Sequence, residues 1–267
     1  MTTRTTWDKR IRRAEELLDR NPSSSQVLTF YRHVLALQQQ ISQNLGSHTA
    51  DAEGAGASLL EQLDVDLALG WLPAFLKLAQ KEGPAKLAEE AAHIAAAPQA
   101  EQRQILLAFV DGDQAGGSYA PSTFFARVLF QTQAESFASW LILPSQHSEA
   151  FCPLCGSKPQ LAVLRPEGDG GKRHLACSLC LSEWEYRRIV CPVCDEVDHT
   201  KLPRYSVEEP IAVRVEACDT CKAYQKSFDM TVDGLMVPEV DEMASVALDV
   251  WAVEHGYHKI QLNLLGF

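Results

Sequence analysis

All eight cysteines of the chain fall into four Cys-x-x-Cys pairs within its C-terminal half. The pairs are Cys152/Cys155, Cys177/Cys180, Cys191/Cys194 and Cys218/Cys221. Two such pairs joined by a hairpin form a tetrahedral four-sulfur site, which binds zinc or iron. Because eight thiols complete two such sites, the spacing predicts two metal ions, either zinc or rubredoxin-type iron, each held by four thiolates.

The residues around the pairs are typical of metal-binding knuckles. Cys152 and Cys191 are each followed by proline, which suits a tight turn that directs two sulfurs at one ion. The residue after the second cysteine of such a turn often needs a positive φ angle. Gly156 adopts that angle without steric cost, and Asp195 is one of the few other residue types that tolerate it.

Two hairpin signals indicate how the pairs group. A Gly-rich turn at 167–171 separates the predicted strands 161–165 and 173–177, and residues 208–210 separate 201–207 and 211–217. Each hairpin joins a pair whose first cysteine is followed by proline to a plain pair, one without that proline. The simplest grouping is therefore sequential, with the first two pairs around one metal and the last two around the other. Interleaved ligation, in which each site takes pairs from both repeats, stays open on spacing alone.

The elements that must position these cysteines predict an α+β fold with three parts. Residues 1–145 have helical periodicity, with helices at about 7–20, 24–44, 59–80, 84–97, 102–110 and 122–141, the third interrupted near Gly70 to Pro73. Residues 146–238 form two tandem rubredoxin-like or zinc-ribbon modules, at about 151–190 and 191–238. Residues 239–267 form a C-terminal helix, over 241–257, and an apolar tail that docks on the body. Ribbons this small need metal for their stability.

Composition and charge exclude several classes of function and location for this chain. The 267 residues carry a net charge of -11, which argues against a general nucleic-acid binder. No stretch of about 18 apolar residues occurs. Arg12-Arg13 is not followed by the apolar core of an export signal, so we expect a cytoplasmic protein without membrane insertion. Reduced cytosolic thiols favour metal over disulfides, and a thiol-disulfide oxidoreductase is the alternative.

Nothing in the sequence indicates catalysis. Four thiolates close the coordination shell of each metal, whereas a catalytic zinc keeps an open position. Motifs for a nucleophilic serine, a phosphate-binding loop and a dinucleotide site are missing. His174 and His199 lie near the cysteines but are not needed as ligands. We therefore predict a protein that is not an enzyme and has no catalytic residues, with electron transfer through rubredoxin-like iron as an alternative role.

A cluster of arginine and aromatic residues lies between the two predicted sites. It comprises Trp184, Tyr186, Arg187 and Arg188. Many zinc ribbons contact nucleic acid through such residues, so a transcription-associated factor is a further alternative. Acidic residues outnumber basic ones in this region, and thiolates add more negative charge, so we favour packing and pairing between the ribbons and expect no nucleic-acid partner.

The chain resembles the formate dehydrogenase accessory protein family (FdhE). The resemblance begins with Arg13-Ala14-Glu15-Glu16-Leu17 and Phe30-Tyr31, and it continues through the four cysteine pairs in order. Glu183-Trp184 and Arg188 lead into Cys191, and Tyr224 and Lys226 follow the last pair. The segment from Asp241 to Asp249 and the closing Asn263 also resemble the family. The tail departs from it at Leu264, where the family often has proline.

The resemblance implies a cytoplasmic maturation factor for exported molybdenum or tungsten formate dehydrogenases. Such a factor binds the immature catalytic subunit and helps it become active, and rubredoxin-like iron would occupy the cysteine pairs. The chain could also pair with a second copy of itself. The spacing of the cysteines predicts only the two four-sulfur sites, not this role.

Overall fold

The computed structural model describes residues 3–45, 59–111, 121–144, 146–206 and 212–267. Within these ranges lie eight α-helices and one seven-stranded sheet. The predicted turn at 208–210 lies outside the described residues. None of the described helices is long and apolar enough to cross a membrane.

Six helices form the N-terminal part. They are α1 (Thr3–Arg20), α2 (Ser25–Asn44), α3 (Val65–Glu82), α4 (Ala85–Ala96), α5 (Gln99–Val110) and α6 (Pro121–Ala138). Pro22 begins a short 3-10 turn between α1 and α2, at the predicted break. The periodicity of apolar residues predicted the helices well because each helix buries one face.

The predicted interruption of the third helix is wrong. Helix α3 runs unbroken through Pro73, although proline inside a helix removes a hydrogen bond and costs about 3 kcal/mol or more. Leu72 and Phe75, on either side of it, are fully buried, and their packing offsets that cost. The start of α3 is fixed by Gln133 of α6, whose side chain bonds both the N–H and the carbonyl of Asp64.

Helix α6 lies at the centre of the helical core. Phe125 and Phe130 are completely buried, and Phe125 packs edge-on against Phe75 of α3 with ring centroids 5.1 Å apart. The same core continues past the helices into the first ribbon, where it includes Cys177 and Trp184. The helical part and the first ribbon therefore stabilise each other through one shared apolar core.

The strands of both ribbons join in a single sheet. They are β1 (Pro159–Glu167), β2 (Gly170–Cys177), β3 (Glu183–Glu185), β4 (Arg204–Tyr205), β5 (Val213–Ala217), β6 (Ala223–Asp229) and β7 (His258–Lys259). The order is β3-β2-β1-β6-β5-β4, with β7 also paired to β6. The predicted β1–β2 hairpin is present, with Glu167 opposite Gly170.

A parallel pairing of β1 with β6 links the two ribbons. Its register runs from Leu161 opposite Lys226 to Leu164 opposite Asp229. Strand β6 was not predicted, and it is the central strand of the joined sheet. The fold is thus α+β as predicted, with helices followed by a ribbon region. The exact domain bounds at 145 and 238 remain a prediction.

The C-terminal helix differs from the prediction of one helix over 241–257. Helix α7 (Pro238–Ala244) ends at Ala244, and Ser245 separates it from α8 (Val246–Glu254). The Lys226 ammonium donates to the carbonyl oxygens of Glu242, at 2.7 Å, and Ser245, at 3.3 Å. In a continuous helix these carbonyls would accept backbone N–H groups four residues on. Lys226 thus supplies a donor to both carbonyls at the point where the helix is interrupted, and the Ser245 carbonyl also accepts the Leu248 N–H at 3.0 Å.

The two ends of the chain meet through buried ion pairs. Arg13 of α1 pairs with Asp241 of α7 at 2.6 Å, and both side chains are buried. Arg10 pairs with Glu239 at 2.5 Å and with Glu135 of α6 at 2.7 Å. Two of the segments that carry the family resemblance are therefore in direct contact. The tail docks against α7 through Asn263, whose Nδ2 donates to Glu242 Oε2 at 2.7 Å, and Leu264 beside it is buried.

Candidate metal centres

The four cysteine pairs share one backbone geometry. In every pair the N–H of the first cysteine donates to the carbonyl five residues later, at 2.9 Å, the acceptors being Ser157, Ser182, Glu196 and Ala223. The residue after each second cysteine has a positive φ angle: 71° at Gly156, 58° at Leu181, 56° at Asp195 and 61° at Lys222. The predicted left-handed positions are confirmed at Gly156 and Asp195, and the plain pairs adopt the same turn.

This shared turn predicts how substitutions at the left-handed positions change stability. A left-handed residue with a Cβ is strained by about 1–2 kcal/mol, whereas glycine is not. Gly156→Ala should therefore lower the free energy of unfolding by about 1 kcal/mol, although the added Cβ would meet no atom within 4 Å. At the exposed Lys222, glycine should be about 1 kcal/mol more stable than alanine.

Urea denaturation of the wild type and of the Gly156→Ala, Lys222→Gly and Lys222→Ala variants measures these differences in the free energy of unfolding. The Lys222→Gly and Lys222→Ala variants lose the same side-chain contacts, including the ion pair with Asp219, so their difference reports the backbone alone. If Lys222→Ala were the more stable of the two, the shared turn would not be strained in the way described.

The eight thiols gather into two clusters of four, grouped sequentially along the chain. The first contains Cys152, Cys155, Cys177 and Cys180, and the second contains Cys191, Cys194, Cys218 and Cys221. In the first cluster Cys155 Sγ lies 3.3 Å from Cys177 Sγ, and Cys152 Sγ lies 3.5 Å from Cys180 Sγ. In the second, Cys191 Sγ and Cys221 Sγ are 3.6 Å apart.

These separations fit four ligands of one ion. A disulfide needs sulfurs about 2.05 Å apart, while a tetrahedron with 2.3 Å metal–sulfur bonds places them about 3.8 Å apart. Burial raises the pKa of the Cys177 thiol well above its usual range, and the neighbouring thiols raise it further. A bound cation would offset both effects. Each cluster could therefore hold a metal ion, and the donor set suits zinc and iron equally.

The two clusters differ in exposure. All four cysteines of the first cluster are buried, whereas Cys194 of the second is exposed and Cys221 is partly exposed. The first cluster is also fixed by the helical part, since Arg127 Nη2 and Gln131 Nε2 of α6 both donate to the Ser178 carbonyl at 3.2 Å. Ser178 lies inside the second knuckle of that cluster. The first cluster thus belongs to the core, and the second lies at the surface.

Three exposed apolar residues lie close in sequence to a knuckle of the second cluster. Ile189, Val193 and Val197 lie near the Cys191/Cys194 knuckle in sequence, and each is more than half exposed. Thr220 Oγ1 donates to Glu196 Oε2 at 2.5 Å and so links the two knuckles of this cluster. An exposed thiol among apolar side chains is a surface that a partner protein can cover.

The aromatic side chains of the arginine and aromatic cluster pack within the protein, whereas both arginines are exposed. Trp184 and Tyr186 are buried, and Trp184 Nε1 donates to the Glu149 carbonyl at 3.2 Å. Arg187 pairs with Asp195 at 3.2 Å, and Arg188 donates to the Gly171 carbonyl at 3.2 Å. Buried rings cannot stack on bases, so this geometry favours the packing interpretation. Neither His174 nor His199 belongs to a metal-binding cluster among the described residues.

A buried ionic cluster, which the sequence analysis did not predict, lies behind the sheet. Lys226 and Lys259 pair with Glu242 and Asp249, and all four side chains are at most 5% exposed. Asn263 Nδ2 donates to Glu242 Oε2 at 2.7 Å, and Tyr224 Oη donates to Asp249 at 2.9 Å. The family resemblance marked most of these residues, but their spacing carried no signal because their partners are distant in sequence.

Comparison with known proteins identifies similar chains. Family models described as "FdhE, central domain" and "FdhE, C-terminal domain" match residues 151–188 and 177–265. An FdhE homolog of Aquifex aeolicus is 28% identical, over 96% of this chain and 94% of its own. An FdhE homolog of Pseudomonas aeruginosa is 39% identical over 44% of this chain and 40% of its own. The crystal structure of FdhE from Pseudomonas aeruginosa has a TM-score of 0.78 and 25% identity, covering 99% of this chain and 96% of that one.

Proposed function

Because the chain belongs to the FdhE family, we propose that it is a cytoplasmic accessory factor for the maturation of formate dehydrogenase. In this role it binds the immature catalytic subunit and is not itself an enzyme. The observation that carries the proposal is the family likeness over nearly the whole chain, since the resemblance described above implies that role. The two four-sulfur clusters fit it as the metal sites of the factor.

The surface around the second cluster is the part best suited to contact the client subunit. Cys194 is exposed there, and Ile189, Val193 and Val197 present apolar area beside it. The first cluster, buried in the shared core, would hold the ribbon against the helices. In this arrangement one metal stabilises the fold, and the other lies where the client docks.

Electron transfer is a second candidate function, and the exposure of Cys194 favours it. If the second site holds iron, its ligand at the surface gives electrons a short path to a docked partner. A rubredoxin-type visible spectrum that bleaches reversibly on reduction would support this role. Purified protein with zinc alone in both sites would exclude it.

The proposal is tested in a strain that lacks this gene but makes a formate dehydrogenase. We expect formate dehydrogenase activity to fall at least tenfold while the catalytic subunit remains detectable. The wild-type gene should restore activity, and the Cys152→Ser gene should not. Cys194→Ser serves as a second variant because its position is exposed, so it should disturb the fold less than Cys152→Ser.

The matched control is Lys81→Ala, which changes an exposed side chain on α3, far in sequence from both clusters. This gene should restore activity fully. Unchanged activity in the deletion strain would refute the maturation role. Full activity with both cysteine variants would show that maturation does not need the clusters.

A further inference from the structure

Two serine hydroxyls lie beside the sulfurs of the first cluster. Ser157 Oγ is 3.3 Å from Cys155 Sγ, and Ser182 Oγ is 3.3 Å from Cys180 Sγ. A thiolate that binds a metal has no proton to donate, so in the metal-bound protein each serine hydroxyl is the donor of its bond. Two of the four sulfurs in this cluster therefore each accept a hydrogen bond from a side-chain hydroxyl.

The second cluster lacks these donors. In all four knuckles the position in question is the residue two places after the second cysteine, whose carbonyl accepts the N–H of the first cysteine. In the second cluster these residues are Glu196 and Ala223, and neither has a hydroxyl. The Glu196 carboxylate instead accepts the backbone N–H groups of Val197 and Asp198, at 3.1 and 3.0 Å. Among the described residues, no hydroxyl bonds a sulfur of this cluster.

Burial gives a physical reason for the difference. Cys155 is 5% exposed and Cys180 is 2% exposed, whereas Cys194 is exposed and Cys221 is partly exposed. Four thiolates around one ion leave a net negative charge, and such a charge needs hydrogen-bond donors once water is excluded. Water can donate to the second cluster. At the first cluster the protein itself supplies donors, and the serines are two of them.

Other groups near the sulfurs do not obscure the role of the serines. Backbone N–H donors occur at both clusters, from Leu179 at 3.3 Å in the first and from Val193 at 3.4 Å in the second. Arg127 brings a positive charge close to the first cluster, because it bonds the Ser178 carbonyl. Its charge acts on the metal in the same direction as a hydroxyl donor does. Changes of single hydroxyls leave these groups in place and so isolate the contribution of the serines.

We propose that Ser157 and Ser182 are positioning residues that raise the reduction potential of iron in the first cluster. A site of four thiolates and iron carries one net negative charge when oxidised and two when reduced. Reduction adds one electron, and no bond forms or breaks. Hydrogen bonds to the sulfurs favour the more negative form, so the serines keep the buried iron reduced over a wider range of potential. The inference deepens the proposed function, on which it rests for iron in the clusters.

The test is a redox titration of the full chain reconstituted with iron in both clusters. Dithionite is the reductant, ferricyanide is the oxidant, and the visible bands of iron–thiolate charge transfer report two one-electron steps. Ser157→Ala and Ser182→Ala should each shift the equilibrium of the same step toward Fe(III) by about threefold to tenfold, given the usual net strength of one hydrogen bond. The double variant should shift it by about tenfold to hundredfold, which is about 59–118 mV.

Matched serine variants separate tuning of the metal from a structural role. Ser178→Ala makes the same exchange inside the knuckle of Cys180, but in the described structure the Ser178 hydroxyl bonds no sulfur. It should move either step by less than about twofold. Ser157→Thr keeps the hydroxyl and should keep the wild-type potential. Urea denaturation of the same proteins gives their stabilities, and a serine that is only structural would change stability without changing the potential.

The reverse change can be made in the second cluster. Ala223→Ser places a hydroxyl two residues after Cys221, where Ser157 and Ser182 stand in the first cluster. It should raise the potential of the other step and leave the first unchanged. We expect about a twofold to threefold shift, smaller because water competes at the partly exposed Cys221. An unchanged potential in the double alanine variant, an equal shift in Ser178→Ala, or a chain that takes up no iron would overturn the proposal.

This proposal and the maturation role fail in different ways. If the serine variants leave both potentials unchanged but the deletion strain loses formate dehydrogenase activity, the tuning inference is wrong and the maturation role stands. If the potentials shift as expected but the deletion strain keeps full activity, the serines tune the metal of a protein with another role.

Discussion

Replacing Lys226 by methionine should lower the free energy of unfolding by about 3–5 kcal/mol, because the change removes one partner from a buried ionic cluster. The Lys226 ammonium donates to Asp249 Oδ2 at 2.6 Å and to the Glu242 and Ser245 carbonyls at 2.7 and 3.3 Å, and it lies 3.1 Å from Glu242 Oε1. Without it, two buried carboxylates face Lys259 alone. A loss of this size is a large share of the roughly 5–15 kcal/mol that stabilises a typical domain.

The electrostatics of Glu242 agree with this expectation. Burial raises its pKa, but Lys226 and Lys259 outweigh burial and lower its pKa to about 2. The carboxylate is therefore ionised at neutral pH and depends on both lysines. Removing one of them leaves a net negative charge in a fully buried position, which methionine cannot offset by packing alone.

Urea denaturation with a rescue variant checks the cause. The double variant Lys226→Met/Asp249→Asn restores charge balance, so it should be about 2 kcal/mol more stable than Lys226→Met alone. Lys222→Met, an exposed lysine just before β6, is the control and should change stability by less than about 1 kcal/mol. Additive effects in the double variant would mean that the cluster does not act as a unit.

Cys177→Ser should destabilise the protein far more than Cys194→Ser. Cys177 is completely buried in the core that the helices share with the first ribbon. Losing a metal there removes a large part of the folding free energy, and we expect at least about 4 kcal/mol or an insoluble product. Cys194 is exposed, so its replacement should weaken metal binding at the second site and cost less than about 2 kcal/mol.

Metal analysis and a chelator assay measure this difference without requiring soluble Cys177→Ser protein. Wild-type protein should release one metal equivalent quickly and the other slowly, because the chelator reaches the exposed site first. Cys194→Ser protein should lack the fast phase and keep the slow one. Two metals released at equal rates, or a more stable Cys177→Ser variant, would contradict the assignment of the first cluster to the core.

The local features of this chain were predictable from sequence, and the long-range ones were not. At Gly156 and Asp195 the left-handed geometry of the knuckle turn followed from residue type, whereas Leu181 and Lys222 adopt it without any such signal in their type. The β1–β2 hairpin followed from its Gly-rich turn. Helices α1 and α2 followed from apolar residues at helical spacing, with a break at Pro22.

Strand β6 shows why the long-range features of the fold could not be predicted from the sequence. Its sequence, Ala223–Asp229, includes Gln225, Lys226, Ser227 and Asp229 and has no apolar alternation, yet all seven residues are buried. Their partners come from other parts of the chain: Asp249 for Lys226, and Arg214 for Asp229 at 2.7 Å. The same lysine bonds the Ser245 carbonyl at the break between α7 and α8. No local pattern records a contact of this kind.

The contact between the chain ends sets an order of events during synthesis. Arg10 and Glu239 are separated by 229 residues, so at about 5–20 residues per second the first helix waits roughly 10–50 s for its partner. All eight cysteines are made before Glu239, and their sites can therefore fill with metal while α1 is still unpaired. A ribosome that stops before Glu239 would release a chain with all eight cysteines and with two arginines, Arg10 and Arg13, that have no acidic partner in α7. Such a chain would have its metal ligands but lack the contact that joins its two ends.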